Sequence, residues 1–221
     1  MSGASGVSRM PVLIVGAGPV GLVAAIRLRE QAVQVRGVDE QTAEGKRTYP
    51  VVLHPRTLRI LSSLGVSAAL AWRGHAVTRL AIYCEKERRA VLELPACGEL
   101  SPGAMTLPQD VLRQALMQRL SDLGSEVEWQ TKLVGLTQDQ GKVRAQLVRR
   151  ERVEGEGREG EAEWVELEAE GVDAPFVIGA DGCKSSVRRQ LGIELVRMGQ
   201  RQIYAFYDAA AMSQDQIQAF L

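Results

Sequence analysis

The sequence predicts an α/β fold, and three observations carry that prediction. A short apolar run, Val12-Leu13-Ile14-Val15, feeds the turn Gly16-Ala17-Gly18-Pro19-Val20-Gly21, and an apolar helical segment from Leu22 to Leu28 follows at once. A second strand-like run, Val33 to Val38, ends in two acids, Asp39 and Glu40. Beyond Val77 the rhythm changes, and strand-like segments succeed one another across polar turns, as in antiparallel pairing. The chain therefore reads as a Rossmann-like βαβ start that continues into an antiparallel β-meander and the start of another β-sheet.

The glycine turn has the spacing G-x-G-x-x-G, and each glycine has a physical task. Gly16 lets the strand turn sharply, Gly18 lets a backbone approach a pyrophosphate, and Gly21 lets the helix pack against the strand. The helix N-terminus attracts the phosphates. Asp39 and Glu40 follow at about the twenty-residue interval at which such units place a ribose-binding acid. Either acid fits that task, and the fingerprint does not separate NAD from FAD.

Composition excludes several classes. Lys and Arg number 27 and so do Asp and Glu, so no net field recruits nucleic acid or a membrane surface. Aromatic residues are only 5% of the chain, too few for a base-stacking surface. The cysteines, Cys84, Cys97 and Cys183, are far apart and read as reduced thiols of a cytoplasmic protein. With His54 and His75 the only histidines, no histidine-based metal site is expected. The apolar stretch from Pro11 to Leu28 is broken by Gly-Ala-Gly-Pro and is read as a βα unit, not a membrane span.

Further along, Arg47 to Pro55 is held extended by Pro50 and Pro55, and Pro55 opens a helix. Leu58, Ile60, Leu61 and Leu64 supply its apolar face, and Gly65 stops it. Val77 to Tyr83 and Ala90 to Leu94 form a hairpin around the charged turn Glu85 to Arg89. Leu107-Pro108-Gln109-Asp110 opens a helix that buries Val111, Leu112, Ala115, Leu116 and Leu120. Glu126 to Trp129, Leu133 to Leu136, Val143 to Val148 and Trp164 to Glu168 form an antiparallel run with a solvated tip at Glu151 to Glu163. A last apolar strand, Pro175 to Ala180, ends in Asp181-Gly182, and Ser185 or Ser186 caps the helix that follows. Asp181 thus stands at a strand's carboxyl end, where α/β proteins bind ligands.

Three separated features together resemble the FAD-dependent aromatic hydroxylases, the flavoprotein monooxygenases of the para-hydroxybenzoate hydroxylase and kynurenine monooxygenase type. They are the fingerprint at Gly16, the Arg47 stretch with its Pro-Arg-Thr-Leu helix start, and Ala180-Asp181-Gly182-Cys183-Lys184-Ser185-Ser186-Val187-Arg188. The resemblance runs from Pro11 to about Ile193. It implies that Gly16, Gly18 and Gly21, with Ala17, Pro19 and Val20 in the same turn, meet the FAD pyrophosphate. Asp39 matches the ribose-binding acid, with Glu40 as its rival. Arg47 matches an arginine lying against FAD, a role that suits a guanidinium beside a pyrophosphate. Gln109 matches a residue near the ribityl chain, Leu133 a strand residue whose backbone touches adenine, and Asp181 and Gly182 complete the set. Tyr49 departs from the pattern, standing where a second arginine is frequent.

The resemblance also divides the chain. Residues 1–10, rich in Ser and Gly, read as a flexible tail, and the resemblance implies an FAD-binding domain at 11–76 and 100–195 and a partial substrate domain at 77–99 and 196–221. The family's third FAD motif, Gly-Asp, has no match in Val196 to Leu221, because Tyr207 replaces the glycine before Asp208. The expectation is a truncated chain, or one whose Gly-Asp motif comes from a second polypeptide. The implied activity spends NAD(P)H and O2 to hydroxylate a small organic, typically aromatic, substrate. The cofactor carries that chemistry, so no catalytic side chain is assigned. Two alternatives stay open: a non-oxygenating flavin reductase or dehydrogenase of the same fold, and an inactive FAD-binding fragment or subunit.

Overall fold

The computed structural model describes residues 10–43, 50–84, 87–94, 103–139, 141–154, 162–196, 199 and 217–220. The chain opens with β1 (Val12–Val15), α1 (Pro19–Glu30), β2 (Val35–Val38), β3 (Pro50–Leu53), α2 (Pro55–Ser63) and α3 (Ser67–Ala71). Next come β4 (His75–Val77), β5 (Arg79–Cys84), β6 (Glu87–Glu93), β7 (Ala104–Pro108), α4 (Gln109–Asp122) and β8 (Val127–Glu128). It continues through β9 (Thr131–Asp139), β10 (Lys142–Glu154), β11 (Ala162–Ala174), β12 (Val177–Gly179), α5 (Ser186–Gln190) and β13 (Ile217–Phe220). These elements fall into two compact units, Met1–Gly45 with Leu116–Val196, and Lys46–Ala115 with Arg197–Leu221.

The first unit is built on a parallel sheet in the order β12-β1-β2-β8. All four residues of β1 are buried, as a central parallel strand covered on both faces requires. Pro19 occupies the first turn of α1, where its missing N–H costs nothing, and Arg27 and Arg29 sit in the last turn beside the negative end of the helix dipole. Arg29 also donates to the carbonyl of Leu123 at 3.0 Å, which ties the end of α1 to the turn after α4.

The antiparallel sheet β11-β10-β9 completes this unit. Bulges between Gln146 and Leu147 on the β9 side, and between Val148 and Arg150 on the β11 side, shift the register of its long central strand. Leu13, Val15 and Val38 from the parallel sheet share one core with Leu133, Ala145, Leu147, Val172 and Ala174 from the meander and Val187 from α5. Burial of these aliphatic side chains, each contributing about 1.5–3 kcal/mol for the larger ones, is what holds the second sheet to the first. Arg36 reinforces the join, reaching Glu128 at 2.8 Å and Glu170 at 2.8 Å, so β2, β8 and β11 are clamped by one guanidinium. Its pKa is raised by the hydrogen bonds to Glu170 and then Glu128, and Glu170 is held below its ordinary range chiefly by the bond from Arg36.

The second unit holds the antiparallel sheet β3-β7-β4 and the sheet β13-β5-β6, in which β13 runs parallel to β5 and β6 antiparallel to it. Leu58, Leu61, Leu64 and Leu70, from α2, its end and α3, are buried.

The α/β fold follows the expected order, with instructive differences. Ile60 is exposed, because the buried face of α2 follows Leu58, Leu61 and Leu64, and Ile60 lies outside that arc. The segment expected as one strand from Val77 splits at Thr78 into β4 and β5, which join different sheets. The Glu126 to Trp129 segment, expected in the antiparallel run, instead adds β8 in parallel to β2. The meander ladder reaches Glu154 and resumes at Ala162, so backbone pairing takes up much of the segment expected as a loose tip. The expected strand start at Val196 to Tyr207 lies largely outside the described residues. The two compact units divide the chain by contact, whereas the expected domains divide it by ligand, and the latter assignment stays a proposal.

Candidate cofactor site

At the carboxyl ends of β1, β2 and β12 the first unit brings together most of the residues singled out by sequence. Gly16 has φ of +105°, which a side chain rarely tolerates, and its N–H donates to the Val38 carbonyl at 2.8 Å. A Cβ there would overlap the Ala180 carbonyl and come within 2.7 Å of the Asp181 nitrogen. A Cβ on Gly21 would overlap the carbonyl of Gly16. These two glycines are demanded by the protein's own backbone.

Gly18 is different. It is the N-cap of α1 with φ of −70° and ψ of 175°, a conformation open to any residue, and a Cβ there would meet no atom within 4 Å. Neither strain nor crowding inside this chain explains its missing side chain. The open space it leaves at the turn is the observation by which the site fits a dinucleotide. The first helical bond runs from Leu22 N–H to Gly18 O at 3.0 Å, so the amides of Val20 and Gly21 precede the ladder. There is no acid in the first turn of α1, and Val20 is 74% exposed, which leaves the positive end of the helix dipole open to an anion.

Asp39 closes the turn from the other side. Its Oδ2 accepts the Ala17 N–H at 2.6 Å and its Oδ1 accepts the Gln41 N–H at 2.8 Å. Its own backbone is fixed as well, donating to Glu128 O at 3.0 Å and accepting from Thr131 N–H at 2.8 Å. Asp39 is thus the acid that reaches the turn, and Glu40 stands exposed beside it.

Asp181 is engaged more locally. Its Oδ1 accepts the Ser185 hydroxyl at 2.5 Å, and its Oδ2 accepts the amides of Ser186 at 2.5 Å and Val187 at 3.2 Å. Gly182, with φ of +76°, reverses the chain between strand and helix. Of the two serines considered as the cap, Ser185 takes the role, accepting the Arg188 N–H at 2.9 Å. Arg188 turns back to the Cys183 carbonyl at 2.9 Å, a helix-end contact.

The remaining expected residues are more scattered. Leu133 is 2% exposed and directs its side chain into the shared core, so only its backbone, on the edge strand β9, is available to a ligand. Gln109 is the first residue of α4 and belongs to the second unit. Arg47 lies outside the described residues. Two features of the site were not foreseen: the bond from Ala17 to Asp39 and the grip of Ser185 on Asp181. The first joins residues 22 apart and leaves no sequence signal. The second is foreshadowed by the spacing of Asp181 and Ser185, an acid and a hydroxyl around a helix start. No group of three or more His, Cys, Asp or Glu among the described residues is placed to hold a metal.

Comparison with known proteins decides the family, since residues 9–220 match the FAD binding domain family. The chain belongs to that family. It is the family expected from the resemblance to the FAD-dependent aromatic hydroxylases, and its cofactor is FAD. Among curated relatives, 6-methylpretetramide 4-monooxygenase of Streptomyces rimosus is 32% identical over 84% of this chain and 31% of its own length. Pentachlorophenol 4-monooxygenase of Sphingobium chlorophenolicum is 27% identical over 82% of this chain and 31% of its own. The fold also resembles crystalline p-nitrophenol 4-monooxygenase from Pseudomonas putida, with a TM-score of 0.68 and 22% identity over 83% of this chain and 44% of that one. The chain therefore spans about a third of the length of the curated relatives it matches.

Proposed function

We propose that this chain supplies the dinucleotide-holding part of an FAD-dependent monooxygenase, which uses NAD(P)H and O2 to hydroxylate an aromatic or similar small organic substrate. The supporting observation is Gly18, a glycine that neither backbone strain nor neighbouring atoms require, at the open N-terminus of α1 and one residue from the Asp39 tether. The similarity to relatives named 6-methylpretetramide 4-monooxygenase and pentachlorophenol 4-monooxygenase supports the reaction class. In this reading Gly16, Ala17, Gly18, Pro19, Val20 and Gly21 receive the pyrophosphate, with Val20 and Gly21 offering amides. Asp39, with Glu40 at the rim, accepts hydroxyls of the adenosine ribose. Arg47 adds charge beside the phosphates, Gln109 attends the ribityl chain, and the Leu133 backbone borders adenine. Asp181 and Gly182 close the site at the β12 end. Bound flavin would carry electrons from NAD(P)H to dioxygen, while the protein's share is to orient substrate and exclude water.

The domain roles follow the same reading, with FAD held by 11–76 and 100–195 and substrate met by 77–99 and 196–221. A Gly-Asp element for the flavin end, on a further stretch of chain or on a second polypeptide, belongs to it too. So does a cytoplasmic setting, which accords with the free thiols of Cys84 and Cys183. No helix among the described residues is long and apolar enough to cross a membrane.

The test is the visible absorption spectrum of the purified, desalted chain, with the nucleotide identified after denaturation. Released FAD supports the reading, and NAD(P)H oxidation with and without phenolic substrates then follows. Labelled oxygen recovered in the product supports hydroxylation, and substrate-dependent NAD(P)H oxidation without it would favour the reductase alternative. A colourless chain that takes up no added FAD argues against cofactor binding by these residues.

A further inference from the structure

We propose that this chain pairs with a second copy of itself, the acidic β10–β11 ribbon of each copy lying on the basic α2–α3 face of the other. The balanced total charge conceals a division along the sequence. Residues 46–84 carry six Lys and Arg and no Asp or Glu, whereas residues 151–170 carry nine Glu against two Arg. Arg79 is taken by Glu93 at 2.9 Å, but Arg56, Arg59 and Arg73 are exposed and make no ion pair among the described residues. Arg56 and Arg59 stand three apart on one side of α2. Exposed apolar side chains adjoin these cations in the chain: Ile60 follows Arg59, and Trp72, 90% exposed, precedes Arg73 at the end of α3. Tryptophan and arginine are the residues that protein interfaces favour, and the lack of acids sets the sign of the partner.

The ribbon has the opposite sign and the same mixed character. Pairing of β10 with β9 ends at Arg149 and Thr131, but five further pairs join β10 to β11, from Arg150–Glu166 to Glu154–Ala162. Among the described residues these five pairs have no third strand, and a two-stranded ribbon is barely stable in water by itself. Glu166 and Glu170 are taken by Lys132 and Arg36, whereas Glu151, opposite Val165, and Glu168 are exposed and make no ion pair among the described residues. Val165 and Leu167 are exposed beside them. One chain thus leaves both surfaces open, and a second copy covers them. Each copy carries one surface of each sign, so a two-fold pairing satisfies both at once. Glu151 and Glu168 meet the free guanidinium groups, and Val165 and Leu167 cover Ile60 and Trp72.

The experiment is sedimentation equilibrium of the full 221-residue chain, wild type and variants, at low and high salt. The wild type is expected to be a dimer whose affinity falls about tenfold between about 0.02 M and about 0.5 M salt, as exposed charges are screened. R56E/R59E and E151K/E168K are each expected to be monomers where the wild type is dimeric, since like charges then meet at both contacts. An equimolar mixture of the two is expected to regain the dimer, because each reversed surface finds its opposite on the other chain. W72A should weaken the dimer about thirtyfold, the size of one interface anchor. Circular dichroism checks that each variant folds, and if E151K/E168K does not, E151Q/E168Q is read for loss of the dimer in its place. A wild type that stays monomeric at low salt, a dimer indifferent to these charges, or a mixture that stays monomeric overturns the proposal. A monomer that binds phosphatidylglycerol vesicles overturns it too, and gives the basic face to a membrane surface instead. None of these readouts depends on FAD uptake.

Discussion

Asp39 and Asp181 occupy similar places, each just beyond the carboxyl end of a parallel strand, yet they are used in opposite ways. Asp39 reaches 22 residues back to the Ala17 amide and joins the end of β2 to the glycine turn. Asp181 takes the hydroxyl and amides of residues four to six positions ahead and starts its own helix. One carboxylate ties elements together, and the other finishes a local fold. The partners differ too: both oxygens of Asp39 face backbone N–H groups, which can only donate, whereas one oxygen of Asp181 faces a hydroxyl, which can donate or accept. Position along the strand alone therefore does not tell what an acid does.

The glycine turn between these acids gives the largest expected effect. Gly21→Ala places a methyl on the Gly16 carbonyl and should cost about 3 kcal/mol, from overpacking against backbone that has little room to move. Gly18→Ala meets open space and should cost only about 0.5–1 kcal/mol, the difference between glycine and alanine at an N-cap. Its FAD affinity should nonetheless fall about tenfold, because the methyl enters the approach path of the pyrophosphate. Denaturant melts and FAD titrations of the two variants check this. If Gly18→Ala bound FAD as wild type does, the turn's middle glycine would have no ligand role.

Asn substitutions sharpen the contrast between the acids. In Asp39→Asn, whichever way the amide is placed, its NH2 must face either the Ala17 or the Gln41 N–H, donor against donor. The loss should be about 2 kcal/mol, since a charge-assisted bond is replaced by a mismatch. In Asp181→Asn the amide oxygen can keep the Ser186 and Val187 amides while its NH2 donates to a rotated Ser185 hydroxyl. The loss there should stay below about 1 kcal/mol. Equal losses in chemical denaturation would mean that the two acids are used alike after all.

The parts of this molecule legible in the sequence are those whose causes are local. The strand–turn–helix at Val12 to Glu30 reads directly, because glycine spacing and apolar runs specify it within a few residues. The helix at Gln109 and the hairpin partners around Val143 were legible for the same reason. Pairing between distant segments was not. β8 contributes two residues, too short for any periodicity, and its parallel partner β2 lies about ninety positions earlier, so it was assigned to the wrong kind of run. β4 and β5 are separated by a single residue, Thr78, and nothing in Val77 to Tyr83 marks a change of sheet. Within the candidate site, the glycines and both acids were legible by type and place. The choice of Asp39 over Glu40 needed the position of Ala17, which the sequence does not contain.

The clamp at Arg36 extends the comparison to a charge that serves no ligand, and it gives the smallest effect. Glu170 has a folded pKa below its ordinary 4.5, chiefly through the hydrogen bond from Arg36. A carboxylate lowered in this way stabilises the fold fully above its unfolded value, and the contribution is lost as pH falls through the lower folded value. Thermal melts should therefore show extra destabilisation only below about pH 4.5, and Glu170→Gln should flatten that slope while leaving neutral-pH stability almost unchanged. Because the Glu170 side chain is 60% exposed, solvent screening holds the difference to a few tenths of a kcal/mol, about the size of a surface pair. An unchanged acid slope in Glu170→Gln would shift the join between the sheets wholly onto its aliphatic core. A larger slope change, well beyond about 1 kcal/mol, would mean that Arg36 is drier in solution than its partners' exposure implies.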